Sequence, residues 1–245
     1  MTFQANLQQL LSGSNKLIMK NQIKIALIMN KNCYPGREYL SNLKDLDVDV
    51  ISIGHYPELD EDEDARCGNL WEPESVKELA KYFNFYNFPS LKSKELEKFL
   101  NFQNYHIGIQ GGTGILKSNI IKLFHFGLLN FHPGDLPIYR GCSAPEWQLY
   151  EQKKIICTAH LIDEGIDSGA IILKKELNVS LKSYEHFRAS IYPETSNFVR
   201  EVILDIIDGD DLLMNAVMQD EEQAMYREYI GQEKINEIKE ILANS

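Results

Sequence analysis

Two polar side chains at the end of one apolar run are the first candidates for chemistry: Asn130 and His132 in the segment NFHPGDLPIYRG, residues 130–141. The run at 127–133 reads as a strand, and strand residues two apart point to the same side. A side-chain amide beside an imidazole suits acyl transfer. The amide donates to an oxyanion as it forms, and a neutral imidazole takes a proton from an attacking amine. The same two residues also read as polar groups that merely satisfy backbone at a strand end. A third group, Asp167, sits in the glycine-flanked loop of IDEGIDSGAII, between apolar runs at 154–162 and 169–177. It either abuts His132, holding its tautomer and stabilising the imidazolium as the Asp of a hydrolytic triad does, or makes an ordinary Asp-Ser-Gly turn.

The elements that must position these groups follow an α/β pattern. Residues 23–30 form a dense apolar run, as a buried parallel strand requires. Pro35 and Gly36 mark a loop, and the spacing of Tyr39, Leu40, Leu43 and Leu46 predicts a helix over 37–46. Residues 47–54 alternate as a second strand, so the chain opens β-α-β and favours a parallel sheet with right-handed crossovers. The acidic run at 58–68 lacks the ligand spacing of a calcium loop and reads as solvated. Further helices are expected at 73–82, after a Ser93 N-cap, and at 117–124, with another strand at 105–112. Ser143 is placed to cap a helix carrying Trp147 and Tyr150. A long amphipathic helix is expected within 183–207, interrupted or kinked by Pro193. The aromatic-rich segment 223–231 reads as a strand whose open edge would suit a second copy of the chain, and a last helix follows it. The organisation expected is a polar, helical extension at 1–21 (with Met19 as an alternative start), a catalytic core at 22–180, and a C-terminal extension at 181–245.

Composition narrows the function classes. The 245 residues carry a net charge of −11, with 44% hydrophobic and 25% charged residues, which excludes wholesale disorder. No apolar run approaches the roughly 20 residues that span a bilayer. An acidic chain is poorly suited to gripping a nucleic-acid backbone, although a local Arg or helix N-terminus can still hold a small phosphorylated ligand. Cys33, Cys67, Cys142 and Cys157 form no CxxC pair and no zinc-like spacing with histidine, so no metal is expected. With no signal-peptide pattern, a reduced, cytoplasmic protein is the simplest expectation.

Together, Asn130-x-His132-Pro133 and Asp163-Glu164-x-x-Asp167-x-Gly169 resemble the N10-formyltetrahydrofolate-dependent formyltransferase family over residues 23–177. The resemblance implies a Rossmann-like formyltransferase core with a mostly parallel sheet, with Asn130, His132 and Asp167 catalytic. It places the folate beside Gly114, Ile115 and Leu116 of GGTGILKS and beside Asp163, Glu164 and Gly165. It further implies direct transfer: an amine attacks the formyl carbon, Asn130 donates to the oxyanion, His132 moves a proton, and Asp167 positions His132. GGTG itself lacks the ending of a P-loop and the spacing of a dinucleotide fingerprint.

Three branches of the family differ in the amine. The tRNA branch shares Tyr139, Arg140 and Gly141 but continues into a basic barrel, whereas the residues after Leu177 here are few and acidic overall. The glycinamide ribonucleotide branch carries a Gly/Ser-rich phosphate loop after its first strand, where this chain reads NKNCYPGREYL. The sugar-nucleotide branch is the expected one, with an amino-dideoxy sugar on dTDP as acceptor, and YRGCSAPEW looks like its counterpart. On that reading Tyr139, Arg140, Gly141 and Trp147 are candidate substrate contacts, Trp147 being equally suited to the core. A formyl-folate hydrolase using the same residues, and a folate-binding module without activity, are the alternatives.

Overall fold

The computed structural model describes residues 23–54 and 65–244. The extension expected at 1–21 and most of the acidic run lie outside the described residues.

The first apolar run becomes β1 (Ile25–Asn30). Its side chains alternate between two apolar layers, Leu27 and Met29 into one, Ala26 and Ile28 into the other. Burial on both faces is what the unbroken apolar pattern requires. β1 pairs in parallel with β2 (Val48–Ile53) on one side and β4 (Ile107–Gln110) on the other. β2 carries β3 (Phe85–Phe88) and β4 carries β5 (Leu128–His132), all parallel. β7 (Ile156–Leu161) and β8 (Ile171–Glu176) then add antiparallel strands, giving the order β3-β2-β1-β4-β5-β7-β8. The fold is thus α/β with a mostly parallel sheet. The chain reverses direction across the sheet between β1 and β4, and the crevice beyond such a reversal is where α/β sheets bind ligands. Gln110 ends β4 there, and Asn130 and His132 end β5.

Helices cover both faces. α1 (Tyr34–Asn42) and α6 (Tyr184–Asp208) pack on the layer of Leu27 and Met29, while α3 (Lys94–Gln103) and α4 (Ser118–Ile121) pack on the other. Short α2 (Val76–Leu79) lies between β2 and β3, α5 (Ala144–Tyr150) precedes β7, and α7 (Gly231–Ala243) closes the chain. Phe198, Val202, Ile235 and Ile238 from 181–245 join the same core as β1, so this stretch is continuous with the sheet domain. No helix among the described residues is long and apolar enough to cross a membrane.

Several local expectations change. α1 begins at Tyr34, ahead of the loop expected at Pro35 and Gly36: Pro35 occupies the first turn, where its missing N–H costs nothing. Gly36 is needed because a Cβ there would lie 2.5 Å from the Gly111 carbonyl oxygen and 2.8 Å from Met29 Cβ. α6 runs through Pro193 without a break. Its buried face, including Phe187, Ile191, Phe198 and Val202, outweighs the roughly 3 kcal/mol that an internal proline costs. Ser143 makes no side-chain cap: it sits at φ 52°, and its Oγ accepts from the Ile230 N–H at 3.4 Å. The strand expected at 223–231 shortens to β9 (Tyr226–Arg227), which pairs in parallel with β6 (Arg140–Gly141) of its own chain. The open edge that suggested a second copy at this segment is therefore taken up internally.

Candidate active site

Leu129 and Phe131 of β5 point into the layer covered by α6, which leaves Asn130 and His132 on the opposite side at the strand's end. Antiparallel pairing sets His160 of β7 directly across from Asn130. Asp167 arrives from the β7–β8 loop at φ 50°, a left-handed conformation that Asp tolerates better than most residues. Gly169, two residues on, anchors this loop: a Cβ there would lie 1.8 Å from the Leu161 carbonyl oxygen, so only glycine fits.

The three expected groups converge. The Asn130 Nδ2 donates to His160 Nε2 at 3.1 Å and reaches Asp167 Oδ1 at 3.4 Å. His132 Nδ1 faces Asp167 Oδ2 at 3.6 Å. The device that holds the His132 tautomer differs from the one expected. Its Nε2 lies 2.6 Å from the Tyr139 carbonyl oxygen, which can only accept, so Nε2 carries the proton. Asp167 Oδ2 instead takes its hydrogen bond from the Gly141 N–H at 2.9 Å. His132 therefore turns the lone pair of Nδ1 toward the carboxylate. A proton captured at Nδ1 becomes part of an ion pair with Asp167, so the arrangement is that of a base with a built-in counter-ion.

His160 was not singled out by sequence. It is 2% exposed, and its Nδ1 lies 2.9 Å from the Leu161 carbonyl oxygen. Nδ1 therefore holds the proton, and Nε2 is left to accept from Asn130. Burial, followed by the neighbouring His132, pushes its pKa down to about 4, while Asp167 opposes the shift. An unfolded imidazole titrates near 6.5. The stability gained by keeping His160 neutral is thus complete above pH ~6.5 and is lost as pH falls toward 4, a change of about 3 kcal/mol. Thermal unfolding of the wild type is expected to lose more stability from pH 6.5 to pH 4 than that of His160→Gln. Equal slopes would refute the assignment.

Two cavities share Asn130 and Asp167 as a common wall. The smaller, about 250 Å³, is lined by Gly114, Ile115, Leu116, Asp163 and Gly165, all expected at the folate. Glu164 is absent from it. That side chain lines a separate cavity of about 910 Å³ beside Lys122 and Phe124. The second shared-wall cavity, about 400 Å³, contains His132 and Gly141 and extends to Tyr39, Arg66, Arg188 and Tyr192. Tyr192 is backed by Trp71, with ring centroids 4.8 Å apart and 20° between planes. Arg66 and Arg188 both pair with the fully buried Glu146, at 3.1 Å and 3.2 Å.

Of the expected substrate contacts, only Gly141 lines this cleft. The Tyr139 ring is buried and its hydroxyl donates to Glu151 at 2.7 Å, so its backbone rather than its ring serves the site. Arg140 is 0% exposed and bound to Gln219 and Glu221. Trp147 lies outside, its indole donating to the Glu228 carbonyl and its ring under Arg227. Arg66, Arg188 and Tyr192 sit on elements far from the motif in sequence, and no motif spacing marks them.

Known proteins resemble the chain in family and in fold. A family profile described as "Formyl transferase" matches residues 73–196, a stretch that contains Asn130, His132 and Asp167. The methionyl-tRNA formyltransferase of Cyanothece sp. is 26% identical over 198 residues, covering 78% of this chain and 57% of that protein. The chain thus spans little more than half the length of this curated relative. The N-formyltransferase from Helicobacter canadensis, solved with folinic acid and dTDP-3-aminofucose, superposes with a TM-score of 0.59 at 18% identity, covering 84% of this chain and 71% of that one. Glycinamide ribonucleotide transformylase 1 from Symbiobacterium toebii gives a TM-score of 0.57 at 18% identity, covering 77% of this chain and 89% of that one. At these identities the superpositions speak for the fold, and the profile, which matches half of the chain, speaks for the family. The chain belongs to the formyl transferase family.

Proposed function

We propose that this protein is an N-formyltransferase that moves a formyl group from N10-formyltetrahydrofolate to the amine of a dTDP-linked amino-dideoxy sugar, dTDP-4-amino-4,6-dideoxyglucose being the representative, for surface polysaccharide synthesis. The observation that carries the reading is the wall of Asn130 and Asp167 common to two cavities, with His132 on one side of it.

The smaller cavity fits the donor. Ile115 and Ile166 at its rim are 74% and 51% exposed, apolar side chains that a flat ring would cover. A Cβ on Gly114 would meet nothing within 4 Å, so the backbone there is open to a heterocycle edge. Gly114, Ile115, Leu116, Asp163 and Gly165 would hold the folate, which supplies an activated formyl group. On the protein side, the long 3.4 Å contact leaves one Asn130 N–H free to swing to a carbonyl oxygen as it gains charge. His132 Nδ1 accepts a proton from the attacking amine, and Asp167 stabilises the resulting imidazolium. With Asp167 close by, the same proton has a short route to the leaving nitrogen.

A sugar nucleotide suits the larger cleft. Its volume of about 400 Å³ lies within the range of small-molecule sites. The Tyr192–Trp71 stack offers a flat wall to a base, and Arg66, half-buried and paired with Glu146, brings positive charge to the cleft that a diphosphate would approach. The net charge of −11 disfavours a polyanionic acceptor. A second reading, formylation of methionyl-tRNA, draws on the curated relative. With N10-formyltetrahydrofolate and a panel of dTDP-amino sugars, glycinamide ribonucleotide and methionyl-tRNA, mass spectrometry is expected to find a 28-Da gain on an amino sugar (the mass of CO) (~28 by formula). Turnover of another acceptor with none of any amino sugar would overturn the choice.

A further inference from the structure

The catalytic segments are held from outside the family-matched region. Residues 215–227 run back across the site: the Val217 N–H and C=O pair with Ile171, Met225 N–H donates to the Pro137 carbonyl, and β9 lies along β6. Within this strap one buried side chain, Gln219, 7% exposed, touches both segments that form the site. Its Nε2 donates to the carbonyl oxygens of Asp167 at 2.8 Å and Gly169 at 2.7 Å. Its Oε1 accepts from Arg140 Nε at 3.0 Å and Nη2 at 2.8 Å. All four bonding positions of the amide are thus used. Arg140 in turn donates to both carboxylate oxygens of Glu221, at 3.0 Å and 2.7 Å.

The two segments joined by this amide carry the site's two backbone anchors. Tyr139–Gly141 supplies the carbonyl that holds His132 Nε2 and the N–H that holds Asp167 Oδ2. Asp167–Gly169 carries the carboxylate itself, on a residue in a left-handed conformation that needs outside support. We propose that Gln219 is a positioning residue: by clamping the Asp167 and Gly169 carbonyls to the Arg140 guanidinium, it sets the distance between the Asp167 carboxylate and His132. The proposal rests on the formyl-transfer reading for its activity readout alone. Arg140 belongs to the same clamp and reaches the substrate through no contact of its own.

Gln219→Glu separates positioning from mere support. A carboxylate keeps, and charges, the bond to Arg140, but it presents only acceptors to two carbonyl oxygens. The full chain carrying Gln219→Glu is expected to unfold at nearly the wild-type temperature, yet to lose about 10²-fold in kcat at pH 8, with the KM for the acceptor little changed. The loss should persist down to pH 5, because the Arg140 guanidinium beside it keeps the introduced carboxyl ionised. Gln219→Ala should lose kcat at every pH. Full kcat for Gln219→Glu overturns the proposal, as does a loss that merely parallels a lowered melting temperature or falls on KM rather than kcat. If the wild type transfers formyl to no acceptor, the formyl-transfer reading fails by itself. The clamp is then read from hydrogen exchange of the Gly141 N–H, which donates to Asp167 Oδ2 and should exchange faster in Gln219→Glu than in the wild type. Unchanged exchange at Gly141 sinks the clamp as well.

Discussion

Asn130→Ala is expected to lower kcat for formyl transfer by about 10²–10³-fold, the usual cost of losing one oxyanion donor. The substitution removes the β5 amide that stands at the wall between the two cavities. The KM for either ligand should change little, because the lost interaction strengthens only as charge builds on the carbonyl oxygen. The fold should survive. Asn130 is only half-buried, and His160 Nε2, left without its donor, still sits beside a cavity open to water. Steady-state kinetics with thermal unfolding as a control check both statements, and turnover near wild type would defeat the role given to Asn130.

Asp167→Ala is expected to cost about as much or more, in the range of 10²–10⁴ typical of general acid–base groups. Three functions leave with the carboxylate: the counter-ion 3.6 Å from His132 Nδ1, the acceptor of the Gly141 N–H, and the second partner of the Asn130 amide. Asp167→Asn separates them. An amide can keep the hydrogen bond from Gly141 but cannot balance an imidazolium. A loss in Asp167→Asn close to that of Asp167→Ala points to charge, while recovery by Asp167→Asn points to geometry. Retention of most activity by Asp167→Ala would remove the carboxylate from the mechanism.

What could be read from the amino acids alone divides along the range of the interactions. Asn130 and His132 were visible because strand alternation is local: two residues apart means one face, whatever surrounds them. Asp167 was visible because its glycine-flanked loop is equally local. His160 was not, because a histidine inside ICTAHL looks like any polar residue in an apolar strand. Its importance comes from the antiparallel register that sets it opposite Asn130, and nothing within either strand encodes that register. Arg140 was misread for the same reason. Next to Tyr139 and Gly141 it resembles a ligand contact, and only the pairing of β6 with β9 reveals that Gln219 and Glu221 have already claimed it. β3 escaped notice because a four-residue edge strand with partly exposed aromatics has no deep alternation to show. Gly36 was read as a loop breaker when its role is to let α1 approach the sheet.

The strap across the site also bears on the order in which the protein assembles. The sheet through β8 is complete by Glu176, and with it the positions of Asn130, His132 and His160. The partners that fix Arg140 and Asp167 come from Gln219, Glu221 and Tyr226, and the Arg140–Gln219 bond alone closes a span of 79 residues. Closing so long a span is entropically costly until the intervening α6 has docked, so these contacts belong to the late steps of folding. A nascent chain therefore acquires its ligand cavities before its catalytic alignment. The alignment of Asp167 with His132 therefore waits for residues 215–227, made well after the strands that carry the two side chains.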